Sequence, residues 1–447
     1  MSEVAAVLAR GAAYALGEPL PLRVRAWDGS EAGPQDGPAL VLHNQRALRH
    51  LLWQPDELGL VRAWVTGDLE ISGDLYEALD RIAGLLWERD EDPSRFSALT
   101  RAATLLRTPG AVSTLGRTLA LAGRLRPPPR PAEEVVRRRG RAHTRGRDRA
   151  AISHHYDVGN DFYALVLGPS MVYSCAYWDS AEPSPDASLE KAQSDKLDLI
   201  CRKLAIEPGQ RLLDVGCGWG SMALHAAMDY GAEVVGVTIS EEQAALARER
   251  VSNWGMSKQV EIRVQDYRDV TDGPYDAISS IGMAEHVGAD QYRAYAAHLH
   301  TLLRPGGRLL NHQIARRPLR DEESYRINAF IDRYVFPDGE LAPVGSTVSL
   351  LEAAGFEVRD VEALREHYAV TLRAWVANLE ANWSQAVRLV GEGRARVWRL
   401  YMAASALGFQ RNTMGVNQIL AVRTATDGTS GMPLVRTFGE RAFSMAT

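Results

Sequence analysis

An apolar strand that runs directly into a glycine-rich turn is the feature that most narrows the folds open to this chain. Arg211-Leu-Leu-Asp-Val215 is followed at once by Gly216-Cys-Gly218-Trp-Gly220. Further short apolar runs recur at 233–238, 260–264, 277–281 and 308–312, and helical patterns fall between them, as at 241–254 and 289–303. Such alternation reads as βαβ units, so an α/β, doubly wound parallel sheet covered by helices on both faces is expected. Arg304-Pro-Gly-Gly307 is expected to be a turn leading into the fifth strand. Helices over 347–354, 371–383 and 386–407 and a last strand over 416–423 follow a polar and aromatic insertion that begins after Ile314.

At 447 residues the chain exceeds one ordinary domain. Residues 1–123 read as a small N-terminal α+β domain, with strand-like pieces at 21–25 and 39–42 and a helix over 75–86. Residues 124–150 form an Arg/Pro-rich linker. Residues 151–425 form the main α/β domain, and 426–447 a C-terminal tail. The net charge of −5 hides a local excess: residues 124–149 hold 10 arginines against 3 acidic residues. The three cysteines, Cys175, Cys201 and Cys217, form no C-x-x-C pair, which argues against a disulfide framework and a cysteine zinc site. No metal is expected. The N-terminus lacks a basic segment before an apolar one, and no apolar run approaches the ~20 residues of a membrane span. A reduced, cytoplasmic protein is the expectation.

The turn itself carries chemistry. A Gly-rich loop at the carboxyl edge of a doubly wound sheet lets the backbone approach a ligand. The same loop could serve packing alone. Its spacing is Gly-x-Gly-x-Gly, whereas the nicotinamide fingerprint is Gly-x-Gly-x-x-Gly. Asp214 precedes the glycines at the strand end. The second strand ends in Val237-Thr-Ile-Ser240, where a nicotinamide fold places an acidic residue on the ribose. Gln243 lies just beyond and can supply that hydrogen bond, and Gln265-Asp266-Tyr267 ends the third strand, where adenine would be held. These details favour S-adenosylmethionine over a dinucleotide. An NAD-dependent oxidoreductase and a non-catalytic lipid-binding protein are the competing readings.

Beyond the turn, the chain carries His155-Tyr-Asp-Val-Gly-Asn160, Tyr173-Ser-Cys-Ala-Tyr-Trp178, Gly236-Val-Thr-Ile-Ser240, Gly282-Met-Ala-Glu-His-Val-Gly288, Arg333-Tyr-Val-Phe-Pro-Asp-Gly-Glu-Leu341 and Tyr368-Ala-Val-Thr-Leu372. With Leu213–Gly220 these resemble the cyclopropane-fatty-acyl-phospholipid synthase family over roughly residues 150–423. The resemblance implies a Rossmann-like class I methyltransferase sheet with an acyl-binding insertion. It implies methyl transfer from S-adenosylmethionine to the cis double bond of an unsaturated phospholipid acyl chain. The resulting carbocation must lose a proton, and the resemblance implies that a bound bicarbonate accepts it.

By the same resemblance the bicarbonate is held at Cys175, Glu285, His312, the Ile314 backbone and Tyr368. Tyr156, Tyr173, Ser174, Gly216, Gly218, Thr238, Gln243, Asp266 and Tyr267 match positions that contact S-adenosylmethionine, and Asp214 is grouped with them. Each has a plainer alternative: a free cysteine is usually a small buried hydrophobe, Glu285 could be a helix-start acid, His312 a satisfied core histidine, and Tyr368 a half-buried aromatic. Cys217 and Trp219 are expected to pack. Residues 330–336 either line an acyl tunnel or form a helical core patch.

Ala284 stands where a Phe is common, and Ser405 where a second cysteine can occur. Either changes the tunnel and bears on the product. Loss of a proton from the added methyl closes a cyclopropane; a hydride shift before proton loss leaves a methylene branch, the precursor of a 10-methyl chain, which would call for a flavin or NADPH reductase partner. The Arg-rich linker is either a solvated tether or a contact for anionic lipid. The expected location is therefore cytoplasmic and peripheral to the membrane. No nucleic-acid module accompanies the basic run. The N-terminal domain would present lipid or mediate a homodimer.

Overall fold

The computed structural model describes residues 4–90, 109–123, 126–135, 144–147, 158–179, 188–435 and 438, without the side chains of 85–90. It divides into two compact units, one of Met1–Arg137, Ala329–Val335 and Gly391–Leu407 and one of Arg138–Asn328, Phe336–Val390 and Gly408–Thr447. Two segments of the 151–425 stretch thus group with the N-terminal residues.

The first unit holds a four-stranded sheet, β1 (Arg23–Arg25), β2 (Glu31–Ala32), β3 (Ala39–Leu42) and β4 (Leu69–Ser72), in the order β2-β1-β3-β4. Helix Gln45–Trp53 starts where the Asn44 side chain accepts the Arg46 N–H, and helix Glu57–Val65 where Asp56 accepts from Leu58 and Gly59; each cap fills an otherwise unmet donor. Two buried carboxylates tie the unit together. Asp68 accepts from Asn44, Arg46 and Thr66. Glu134 takes a bidentate pair from Arg62 at 2.7 and 2.8 Å and the Tyr334 hydroxyl at 3.1 Å. Phe330 and Tyr334 are buried in this unit.

The second unit is built on a seven-stranded sheet. Its strands are β5 (Arg211–Val215), β6 (Glu233–Thr238), β7 (Val260–Val264), β8 (Tyr275–Ile281), β9 (Leu303–Arg316), β10 (Glu357–Ala363) and β11 (Met414–Val422), ordered β10-β11-β9-β8-β5-β6-β7. β5 to β9 pair in parallel, as the βαβ pattern requires. Helices cover both faces. Leu197, Ile200 and Leu204 of Leu189–Leu204 pack with Met222 and Ala247 on one face, and Tyr292, Tyr295 and Leu299 of Ala289–Leu302 with Leu351 on the other.

Three expectations need correction. The sheet is mixed, because β11 runs antiparallel to both β9 and β10. β10 had no clear signature: Glu357, Arg359, Asp360 and Glu362 leave too few apolar positions, as suits an edge strand. Residues 304–307 do not precede the fifth strand but sit inside β9. Tyr275 pairs Leu303 and Ala277 pairs Arg308, so the glycine turn is looped out as a bulge. The helix expected over 386–407 is two, Trp383–Val390 and Glu392–Gln410. Gly391 between them has φ +80°, which a right-handed helix cannot contain. No helix among the described residues is long and apolar enough to cross a membrane.

Candidate active site

A cavity opens at the carboxyl ends of β5, β6 and β7. Tyr173, Ser174, Asp214, Gly216, Gly218, Thr238, Gln243, Asp266 and Tyr267 line it. Tyr156 lies outside the described residues. The loop after β5 is anchored by the Val237 carbonyl, which accepts from the Gly216 and Cys217 N–H groups. Gly216 has φ +75°, and a Cβ there would come within 2.5 Å of the Met283 side chain. Gly218 has φ +52° and open space on its Cβ side. The glycines therefore leave a cradle that side chains would fill or strain.

The polar groups around this cradle differ in commitment. Thr238 Oγ1 donates to Gln243 Oε1 at 2.8 Å and fixes that carboxamide. Burial pushes the Asp214 carboxyl up to about 6, against the Ser279 hydroxyl, bonded at 2.7 Å, and nearby Lys196. Its second oxygen has no partner among the described residues. Burial would raise Asp266 too, but Arg268 binds it through backbone and guanidinium, and its carboxyl lies below the usual range. Cys217 and Trp219 are buried yet also line the cavity, and Trp219 Nε1 donates to Asn160.

Beside the cavity a chain of contacts gathers the five other residues. Cys175 Sγ lies 3.6 Å from the Leu364 carbonyl. The Leu364 N–H donates to Val416 of β11. Val416 pairs with Ile314 of β9, and the Ile314 N–H donates to Glu285 Oε1 at 2.7 Å. His312 sits two residues earlier on β9, on the same sheet face as Ile314. Tyr368 begins the second turn of helix Arg365–Ala381. It joins the cavity through rings: Tyr368 meets Trp375 at 6.0 Å, and Trp375 meets Tyr173 at 5.4 Å. Met283 and His286, which flank Glu285, line the cavity.

Electrostatics set these groups apart from a satisfied core. Glu285 Oε2 is shielded from solvent and has no partner among the described residues, and burial raises the carboxyl to about 7 against the Ile314 N–H. Both ring nitrogens of buried His312 are likewise without a partner. Burial, then the charges of Lys196 and Lys203, hold that imidazole neutral. Burial also pushes the Cys175 thiol far up, so it stays protonated and donates to the Ala176 and Leu364 carbonyls.

Two residues escaped the sequence reading. Lys196 is buried, donates to Ser174 Oγ at 2.9 Å and lines the cavity; burial lowers it to about 8, against the charge of nearby Asp214. Its signal was available: Lys196 and Lys203 stand seven residues apart on the buried stripe of helix Leu189–Leu204. The other is Gln418, which pairs with His312 across β11 and β9. Phe336 of the aromatic insertion lies 5.8 Å from the His286 ring, whereas Phe330 and Tyr334 pack within the first unit.

Known proteins share this fold. A mycolic acid cyclopropane synthase solved with SAH and CTAB aligns with a TM-score of 0.56 and 35% identity, over 61% of this chain and 97% of its own. A "Probable fatty acid methyltransferase" of Mycobacterium tuberculosis is 44% identical over 93% of this chain and 94% of its own length. The cyclopropane-fatty-acyl-phospholipid synthase of Escherichia coli is 38% identical over 61% of this chain and 68% of its own. Residues 143–419 match the mycolic acid cyclopropane synthetase family. The chain belongs to that family and is an S-adenosylmethionine-dependent methyltransferase acting on lipid.

Proposed function

We propose that the chain methylates the cis double bond of an unsaturated phospholipid acyl chain and that the product is a cyclopropane. The observation that carries this reading is the Glu285–His312 pair: two buried groups with unmet hydrogen-bonding capacity, next to the cofactor cavity. An alkene needs an aligned electrophile in a dry site, and the cation it becomes needs a weak base nearby.

The cavity residues fit S-adenosylmethionine. Asp214 Oδ2, lacking a partner, would take the amino group of its tail. Gln243, oriented by Thr238, would hold the ribose, and Asp266 with Tyr267 the adenine. When bound, the cofactor supplies an electrophilic methyl group. The glycine cradle brings it close to the backbone, while Tyr173, backed by Trp375, lines the cavity and would offer its ring to positive charge.

Bicarbonate fits the second site and would supply the base there. Cys175, Glu285, His312, the Ile314 backbone and Tyr368 would hold it. Glu285 Oε2 is placed to accept a proton, and the neutral His312 ring offers one donor and one acceptor.

A second reading keeps the first step but ends in a methylene branch. It is favoured by relatives that match nearly the whole chain and are named probable fatty acid methyltransferase or tuberculostearic acid methyltransferase. That product would need a reductase partner. Incubation with S-adenosylmethionine and oleoyl phospholipid vesicles, followed by NMR of the acyl chains, separates the two isomers. Absence of any one-carbon gain would remove both.

The Arg-rich stretch would contact anionic lipid at the membrane surface. Arg126 and Arg130 are exposed, whereas Arg145 and Arg147 pair with Asp269 and Asp338. Each free arginine near such a surface contributes ~1 kcal/mol. Vesicle co-sedimentation that ignores phosphatidylglycerol content and salt would exclude this contact.

A further inference from the structure

Gln418 lies directly opposite His312 in the antiparallel pairing of β11 with β9, so the two side chains leave the same face of the sheet. Gln418 is fully buried and His312 is 2% exposed. Neither Gln418 Nε2 nor Oε1 has a hydrogen-bond partner among the described residues, and the same holds for both His312 ring nitrogens. A carboxamide carries two donors and a two-fold acceptor, and buried groups of this kind are nearly always paired. Packing alone would have placed an aliphatic residue here, as at Ile419 and Leu420 beside it.

The surroundings state what would satisfy them. The Ile314 N–H, two residues along β9 from His312, holds Glu285 through Oε1, and Oε2 is left as an acceptor that needs a donor. Gln418 Nε2 and a His312 N–H are donors that need acceptors. Buried Lys196 adds positive charge to this face, whereas Lys203 is paired with Glu362 and Asp360. A small planar oxyanion with one hydroxyl meets three of these demands, at Glu285 Oε2, Gln418 Nε2 and a His312 N–H. Its hydroxyl faces the carboxylate, and its remaining oxygens face the amide and the imidazole. We infer that Gln418 is a further anion-binding residue of this site, donating its Nε2–H to the bound oxyanion beside His312. The inference rests on the bicarbonate reading above and adds a ligand from β11 to it.

The test measures binding as well as turnover. Sodium bicarbonate is titrated into the enzyme loaded with S-adenosylhomocysteine, with carbon-labelled bicarbonate followed by NMR, for the parent, Gln418→Met and Gln418→Glu. Methionine keeps the length and removes both polar ends, so the fold should be retained or stabilised. Gln418→Met should weaken bicarbonate binding at least about tenfold, the effect of one charge-assisted hydrogen bond. Gln418→Glu should weaken it further through like-charge repulsion. The bicarbonate concentration for half-maximal turnover should rise in parallel, with the half-saturating S-adenosylmethionine unchanged. Bicarbonate affinity within twofold of the parent in a folded Gln418→Met protein would overturn the assignment while leaving the base reading intact. A parent enzyme that binds no bicarbonate would overturn both, and that outcome is read on the parent alone.

Discussion

The Glu285 carboxylate accepts the Ile314 N–H through Oε1 at 2.7 Å. β8 ends at Ile281, whose register partner on β9 is His312, so Ile314 projects its N–H past the last β8 residue. Glu285, in the turn that follows β8, fills the place of a missing strand partner. The same bond fixes the direction of Oε2, the oxygen left without a partner among the described residues.

Replacing Glu285 by Gln should retain that bond and remove the acceptor charge. Turnover should fall by about 10²–10⁴-fold, the usual contribution of a positioned acid or base. With the carboxyl pushed up to about 7, kcat/KM of the parent should rise with pH through that region, and this limb should be missing from Glu285→Gln. Full activity in the variant would remove Glu285 from the site.

The same group ties stability to pH. Its folded pKa, about 7, lies above the unfolded value near 4.5, so the folded state binds the proton more tightly. The parent therefore carries no penalty from Glu285 below about pH 4.5. It loses stability on the order of 3 kcal/mol as pH rises to 7 and above. Glu285→Gln should be more stable than the parent at pH 8 and indistinguishable at pH 4.5. Denaturant unfolding at the two pH values checks this, and parallel pH dependences would refute it.

Gly216→Ala should damage cofactor binding through a clash. The added Cβ would meet Met283 at 2.5 Å, at a backbone φ of +75°. S-adenosylhomocysteine affinity, measured by calorimetry, should drop tenfold or more. A second substitution, Met283→Ala, removes the clash but not the strain of about 1–2 kcal/mol. The double variant should recover part of the loss, and simple additivity would show that Met283 is not the obstacle.

In the first unit, Glu134→Ala should strand Arg62. Burial would raise the Glu134 carboxyl, but Arg62 outweighs it and holds it below the usual range. Removing one partner of such a pair costs about 3 kcal/mol. The loss should be full above pH 4.5 and shrink as the pH falls and Glu134 protonates in the parent. A Tm shift near zero at pH 7 would mean that the pair adds nothing.

What residue order determined by itself was local. β5, β6 and β7 span the runs read from the sequence: β5 and β6 are interior strands and mostly apolar, and edge strand β7 alternates buried Val260 and Ile262 with exposed Glu261. The glycine spacing after β5 likewise favoured a methyl-donor cradle over a dinucleotide loop, since the turn needs positive φ at the alternate positions Gly216, Gly218 and Gly220. The charged edge strand β10 left no such trace. Nor did Gln418: its meaning comes from facing His312, over a hundred residues away, and only the antiparallel register of β11 on β9 creates that encounter. Lys196 was visible as a lysine on an apolar stripe, but its bond to Ser174 needed the packing of helix Leu189–Leu204 on the sheet. Periodicity is a property of neighbours in sequence and can be read there. Unmet hydrogen bonds in a dry site are a property of neighbours in space, and the tertiary structure alone brings them together.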